Sequence, residues 1–367
     1  MENKKISVGF IGLNPDSHWA ATAHIPALKS LSNDFEVIGV ANRSLESAQA
    51  TAKALNLKFA FENPQALIQS PEVDLVVVTV KVPYHFELVK AALEAGKHVY
   101  CEHPLGNGLE ETKRLAEIAE EQGVVAVVGT QMVNAPEVLY LKKLIEEGYV
   151  GEVRSTTLIG SGWNWSNETV DELYYLLDNA NGANMLTIPL GHTLAGLTSV
   201  LGDFRSLKAN MFNYYKTVNI ADTGEVKPKN AEDQIMLIGQ LESGAAASVH
   251  YRGGLSKATN LLWEINGTEG DIQVTGDNGH GQMIQLSIKG ARSSDEEMNP
   301  LVPPVAMYNG LPDNSVARNV AQIYKLLAGD IRNNTRNAPT FQRAVTLAEL
   351  YNTIEQSAKG EVKSRLL

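Results

Sequence analysis

Of 367 residues only one, Cys101, is a cysteine, which excludes an internal disulfide and leaves no thiolate cluster for zinc. Positive charge is also scarce. Thirty-one Lys and Arg against forty-two Asp and Glu give a net charge of −11, and no basic stripe stands out. Phosphate-backbone contacts need clustered Lys and Arg, so a nucleic-acid partner is not expected. No apolar run approaches the roughly 18 residues that span a bilayer, and the first residues carry no apolar leader, so no membrane is expected either. These absences together predict a cytoplasmic protein. What remains is of globular composition, 44% hydrophobic and 20% charged, and too long for one ordinary domain.

The first 130 residues alternate in type. Strand-like runs at Ile6–Ile11, Phe35–Ala41, Asp74–Val80, His98–Cys101 and Val124–Val128 are separated by helical stretches at His18–Leu31, Leu45–Leu55, Tyr84–Ala95 and Leu109–Gln122. Asn63-Pro64 has the form of an N-cap followed by proline at the first helical position. Residues 74–80, Asp-Leu-Val-Val-Val-Thr-Val, lack polar alternation, as in a strand covered on both faces. Repeated β-α units of this length predict a parallel sheet with helices on both sides, a Rossmann domain over 1–130.

Beyond Gly129 the pattern changes. A helix is expected over Pro136–Glu147, and alternating runs at Ser206–Phe212, Gln234–Gln240, Ala245–Tyr251 and Leu261–Asn266 predict a large open, mostly antiparallel sheet. Residues 293–312 read as a surface loop, and Asn319–Ala328 and Phe341–Lys359 as closing helices. The fold class is therefore α/β, with a second α/β domain over 131–367 whose last helices are allowed to return to the first.

Gly12 closes the first strand where a dinucleotide fold makes its tight turn toward a helix N-terminus. The glycine fingerprint is incomplete: Gly12-Leu13-Asn14-Pro15-Asp16-Ser17 keeps one glycine, and Asn14 is expected to supply left-handed backbone angles. Gly12, Leu13, Asn14 and Ser17 are the candidate diphosphate contacts. The second strand ends in Asn42-Arg43-Ser44, where an NAD-selective site has Asp or Glu for the ribose 2′-hydroxyl. Charge and donors there favour NADP over NAD.

Several motifs in order resemble the glucose-fructose oxidoreductase, inositol dehydrogenase and MocA family. They are Asp74-Leu-Val-Val-Val-Thr79, His85, Ala95-Gly-Lys-His-Val99, Glu102-His103-Pro104, Glu147-Gly-Tyr-Val-Gly-Glu-Val153 and Asn266-Gly-Thr-Glu-Gly270. The resemblance implies a Rossmann domain, a second domain with an open sheet used for homo-dimer or homo-tetramer formation, and an active site between the domains. It implies hydride transfer between NAD or NADP and a small, sugar-like polar ligand, with Thr79, Val80, Glu102, His103 and Gln131 beside the cofactor; His85 is a further cofactor-site candidate whose role in the family is mostly structural. Metal is not expected.

The chain departs from the family where proton transfer would occur. The usual Glu-Lys-Pro lysine is His103, and the Asp four residues before His192 is Ile188. The departures resemble the branch containing the fungal galactose-pathway repressor, as do Val8–Asn14, Gly162-Trp163, Gly191-His192-Thr193 and Gly253-Gly254. His103 and His192 are the catalytic candidates. For His103 the open alternative is a hydrogen bond to the nicotinamide ribose or carboxamide; for His192 it is a satisfied core histidine. Lys81, Tyr84, Trp163, Trp165 and His192 are the candidate ligand contacts. Lys81 and Tyr84 follow the carboxyl end of a parallel strand, where ligands bind. The aromatic faces of Trp163 and Trp165 suit carbohydrate C–H surfaces, with packing in the second-domain core as the alternative. Three functions stay open: an NAD(P)-dependent polyol oxidoreductase, a non-catalytic NADP-binding regulator, and an enzyme that uses bound NAD in transient oxidation.

Overall fold

The computed structural model describes residues 4–16 and 19–360. The chain divides into two compact units, one of residues up to Asn134 with Tyr308–Ala348, the other of Ala135–Met307 with the residues from Glu349 onward.

In the first unit six parallel strands, β1 (Ile6–Ile11), β2 (Phe35–Ala41), β3 (Phe59–Ala60), β4 (Leu75–Val78), β5 (His98–Glu102) and β6 (Ala126–Gly129), lie in the order β3-β2-β1-β4-β5-β6. The chain runs outward from β1 to β3 and then crosses to β4, so the strand order reverses between β1 and β4. Open α/β sheets bind ligands beside the strand C-termini at such a reversal.

All four residues of β4 are buried, and their side chains divide between two cores. Leu75 and Val77 join Val8, Phe10 and Tyr100 on one face, while Val76 and Val78 join Ile11, Val99 and Cys101 on the other. Each such valine stabilises the sheet by roughly 1.5–3 kcal/mol, which is why no polar residue interrupts the run. Helices α1 (Ile25–Ser30), α2 (Leu45–Leu55), α3 (Pro64–Gln69), α4 (His85–Glu94) and α5 (Leu109–Gln122) complete the β-α series.

The expected continuous helix over His18–Leu31 is not seen. Ala20–His24 form one wider π turn, and α1 starts only at Ile25, with Pro26 in its first turn. Proline has no N–H to give the preceding turn, and a helix restarts readily on its fixed φ. His18 lies outside the described residues. The expected cap of α3 is present, Asn63 accepting from the Ala66 amide, and α2 is capped by Ser44, which accepts from the Ser47 amide.

The second unit opens with α6 (Pro136–Glu146) and is built on eight strands. In chain order the strands of the unit are β7 (Val153–Gly162), β8 (Glu168–Thr169), β9 (Phe204–Phe212), β10 (Thr217–Ile220), β11 (Val226–Pro228), β12 (Gln234–Leu241), β13 (Ala246–Gly253), β14 (Leu261–Gly267), β15 (Gly270–Gly276), β16 (Ser287–Arg292) and β17 (Asn299–Pro300). The large sheet is ordered β17-β16-β15-β14-β7-β13-β12-β9, while β11, β10 and β8 form a small one. Within the large sheet β7 and β13 pair in parallel and the other neighbours are antiparallel.

Between β8 and β9 runs α7 (Pro189–Leu201), buried along nearly its whole length. Sequence patterning misses it because a helix covered on all sides has no polar stripe. From the second unit the chain returns to the first, where α8 (Ser315–Asn333) places Val320, Ile323, Tyr324 and Leu327 on the core that holds Phe10 and Val77. The last helix, α9, spans Phe341–Lys359.

Candidate functional site

At the reversal point the backbone is fixed from both sides. Gly12 has φ +95°, and a Cβ there would stand 2.6 Å from Val80 Cγ1. Only glycine suits this position, both for its backbone angle and for its space. From β4, the Thr79 hydroxyl donates to Gly12 O at 2.8 Å. From β2, Asn42 Oδ1 accepts from the Leu13 amide at 3.0 Å while its Nδ2 donates to Leu13 O at 2.8 Å. Thr51 adds a hydroxyl donor to Leu13 O at 3.3 Å.

The expectation for Asn14 needs correction. Among the described residues, Asn56 and Asn334 are the non-glycine residues with positive φ, so Asn14 is not left-handed. Its side chain acts instead by accepting from the Asp16 amide at 3.1 Å, closing a local turn. Ser17, also expected at the diphosphate, lies outside the described residues.

At the end of β5 a buried polar network surrounds Glu102. His24, fully buried on the π turn, places Nε2 2.9 Å from Glu102 Oε1 and Nδ1 2.8 Å from the Tyr324 hydroxyl. A carboxylate only accepts, so Nε2 carries the hydrogen, and in the neutral ring Tyr324 donates to Nδ1. The Gln131 amide nitrogen donates to both Glu102 oxygens at 3.0 Å. Tyr100 and Tyr324 stack with centroids 5.0 Å apart, and burial pushes both phenols well above their ordinary pKa. Sequence reading found Glu102 and Gln131 but missed His24, Tyr100 and Tyr324; a histidine inside an apolar helical stretch was the one available signal.

His103 follows Glu102 and is mostly buried. His85 is a strut: Nε2 lies 2.9 Å from Val80 O and Nδ1 3.0 Å from Pro104 O, joining the loops after β4 and β5. Burial lowers its pKa against the opposing pull of those carbonyls. Both ring nitrogens thus face backbone carbonyls. Lys81, Tyr84 and Arg43 are exposed. Cys101 is wholly buried, and burial pushes its thiol up, consistent with a small apolar side chain.

The start of the segment after β6 leaves buried acceptors without partners: Thr130 Oγ1, Gln131 Oε1 and Asn134 Oδ1. Such atoms are costly to leave unmade, and they suit a group rich in N–H and O–H donors. With the close-approach glycine at the reversal point, the residues present fit a nicotinamide dinucleotide.

In the second unit, Trp163 and Trp165 follow β7. Trp165 is wholly buried and its indole N–H donates to Leu176 O at 3.0 Å, so of the two only Trp163, half-buried, reaches the surface. Trp163 stacks on His280 with centroids 4.2 Å apart. Burial pushes His280 down to about 3, so this imidazole is neutral. Below it, Tyr251 donates to Thr193 Oγ1 at 2.6 Å and lies 3.0 Å from Gly279 O. His192 is buried on α7, one residue from Thr193.

The turn that carries both tryptophans is held by a fully buried ion pair. Lys229 Nζ lies 2.8 Å from Asp233 Oδ2 and donates to Trp165 O at 2.8 Å, while Asp233 also accepts from the Tyr214 and Tyr215 amides. Among the described residues no cluster of His, Cys, Asp and Glu is arranged for a metal ion, and no helix is long and apolar enough to cross a membrane.

Comparison with known proteins gives two adjoining family matches. Residues 6–130 match the oxidoreductase family with an NAD-binding Rossmann fold, and residues 136–276 match the C-terminal domain of Gal80p. The galactose/lactose metabolism regulatory protein GAL80 of Saccharomyces cerevisiae is 28% identical, covering 91% of this chain and 84% of that protein. A crystal structure of its super-repressor mutant superposes with a TM-score of 0.88 at 26% identity, over 97% of this chain and 96% of the other. Dehydrogenase aclE of Aspergillus oryzae is 33% identical over 75% of this chain and 78% of its own length. Levoglucosan dehydrogenase in complex with NADH and levoglucosan shares the fold, with a TM-score of 0.84 at 22% identity over 97% of each chain.

Proposed function

Because the chain belongs to the oxidoreductase family with an NAD-binding Rossmann fold, we propose that it moves hydride between a bound nicotinamide dinucleotide and a CH–OH group of a sugar, cyclitol or related polyol. The observation that carries this reading is the doubly anchored Gly12 turn at the strand reversal, with the partnerless acceptors of Thr130, Gln131 and Asn134 at the same strand ends. When bound, the nicotinamide ring accepts or returns the hydride. His103 takes the hydroxyl proton as hydride leaves the carbinol and gives it back in the reverse direction. His192 is the second candidate for orienting the hydroxyl. NADP is favoured over NAD, since no carboxylate ends β2 and the exposed Arg43 is free to pair with a 2′-phosphate.

A homo-dimer or homo-tetramer is part of this reading. The large sheet has an open face bearing Ile159, Met236 and a mostly exposed Ile238, suited to a second copy. A cytoplasmic setting accords with the single, buried cysteine.

A second reading, a non-catalytic NADP-binding regulator, is favoured by the match of residues 136–276 to the Gal80p domain and by histidine in place of lysine at 103. Incubation of purified protein with NADP or NAD and a panel of neutral sugars and polyols separates the two. Growth of reduced-nicotinamide absorbance, lost in His103→Ala, supports the enzyme. Tight cofactor binding without turnover on any compound supports the regulator and sinks the first reading.

A further inference from the structure

In a Rossmann site the side chain ending the second strand reads the adenosine ribose, and an acid there selects NAD. Asn42 is turned the other way. Its Oδ1 accepts from Leu13 N at 3.0 Å, and its Nδ2 donates to Leu13 O at 2.8 Å and to Thr51 Oγ1 at 3.1 Å. The oxygen and both amide hydrogens are therefore engaged inward, on a residue that is half-buried. A carboxamide is the one short neutral side chain that gives and receives in this way. Ser44 is likewise engaged, as the cap of α2.

We infer that Asn42 is a positioning residue: it clamps the Gly12–Leu13 turn for the diphosphate, and the choice between 2′-hydroxyl and 2′-phosphate falls to Arg43. This rests on the turn being a dinucleotide site. The consequence is contrary to the usual rule for this fold. Asn42→Asp keeps an acceptor for Leu13 N but sets a second anionic oxygen against Leu13 O, where a donor stood. The turn moves, and both cofactors suffer alike.

Titration of the full chain with NADH and NADPH, read by nicotinamide fluorescence, tests this. Asn42→Asp is expected to weaken both by about ten-fold or more, with their ratio unchanged within about two-fold, the size of effect that follows from replacing a donor by an anionic oxygen against Leu13 O. Thr51→Val weakens both in the same way and Thr51→Ser restores them, which keeps the test alive should Asn42→Asp fail to fold. Arg43→Ala weakens NADPH more than NADH and so changes the ratio. A shift of Asn42→Asp toward NADH, or wild-type affinity in Thr51→Val, overturns the clamp while leaving the cofactor reading in place. Failure of the wild type to bind either nucleotide removes both.

Discussion

His24 and Glu102 stand 78 positions apart, on the π turn after β1 and at the end of β5, yet their side chains meet at 2.9 Å in a nearly water-free setting. His24 spends its second nitrogen on Tyr324, 300 positions away in sequence, so one imidazole ties the π turn, the end of β5 and α8 together. Fully connected buried networks specify a unique arrangement, whereas partly satisfied ones are costly. Tyr324→Phe leaves His24 Nδ1 without its donor and should cost about 1–3 kcal/mol in urea unfolding. His24→Phe removes a donor to Glu102 as well and should cost more than Tyr324→Phe. Equal stability of Tyr324→Phe and wild type would show that the network contributes nothing.

His103 immediately follows that anchored carboxylate, which gives the proposed proton acceptor a rigid base. His103→Ala is expected to lower turnover by about 10²–10⁴-fold, the usual worth of a positioned acid–base, with cofactor affinity nearly unchanged. His103→Lys, restoring the residue usual in the family, should recover part of the rate with a pH optimum moved upward. A parallel loss of cofactor affinity in His103→Ala would assign the imidazole to cofactor binding instead.

Much of the first unit was legible because a sheet covered on both faces must be written in unbroken apolar runs. Leu75–Val78 is the clearest case. Gly12 was legible for the same kind of reason, being the residue that a tight, crowded turn requires. The second unit was harder. The helix Pro189–Leu201 carries no polar stripe because water reaches no side of it, and β7, which pairs between β13 and β14 at the middle of its sheet, was passed over. Partners such as Tyr324 for His24, or His280 for Trp163, are joined by tertiary packing, which leaves no local spacing to read. Asn42 was found by position, but its direction needed coordinates.

His280 makes stability depend on pH. Its folded pKa, about 3, lies below the ordinary 6.5 because burial penalises the charged ring. The unfolded chain therefore takes up a proton first as pH falls. The stability is fully present above pH 6.5 and drains away from there down toward 3, by at most about 1.4 kcal/mol per pH unit for one group. His85, lowered by the same cause, adds in the same direction. Urea midpoints measured between pH 7.5 and 5 should fall for wild type and fall less steeply for His280→Phe. An unchanged slope in that variant would mean that the ring is protonated in the fold.

Lys229 and Asp233 share a site with no solvent on either side chain, and burial lowers the lysine's pKa while the carboxylate opposes it. Breaking such a pair leaves a lone buried charge, so Lys229→Met should cost about 3–5 kcal/mol. Asp233→Asn leaves the ammonium unbalanced and should be similarly harmful. The double variant removes both charges and should cost clearly less than the two singles added together, because the worst term in each is the partner left behind. Loss of the Lys229 bond to Trp165 O persists in the double variant, so its Trp163 fluorescence should still differ from wild type. Additive costs across the cycle would mean that the two groups are stabilised separately, the lysine by the Trp165 carbonyl and the carboxylate by the Tyr214 and Tyr215 amides.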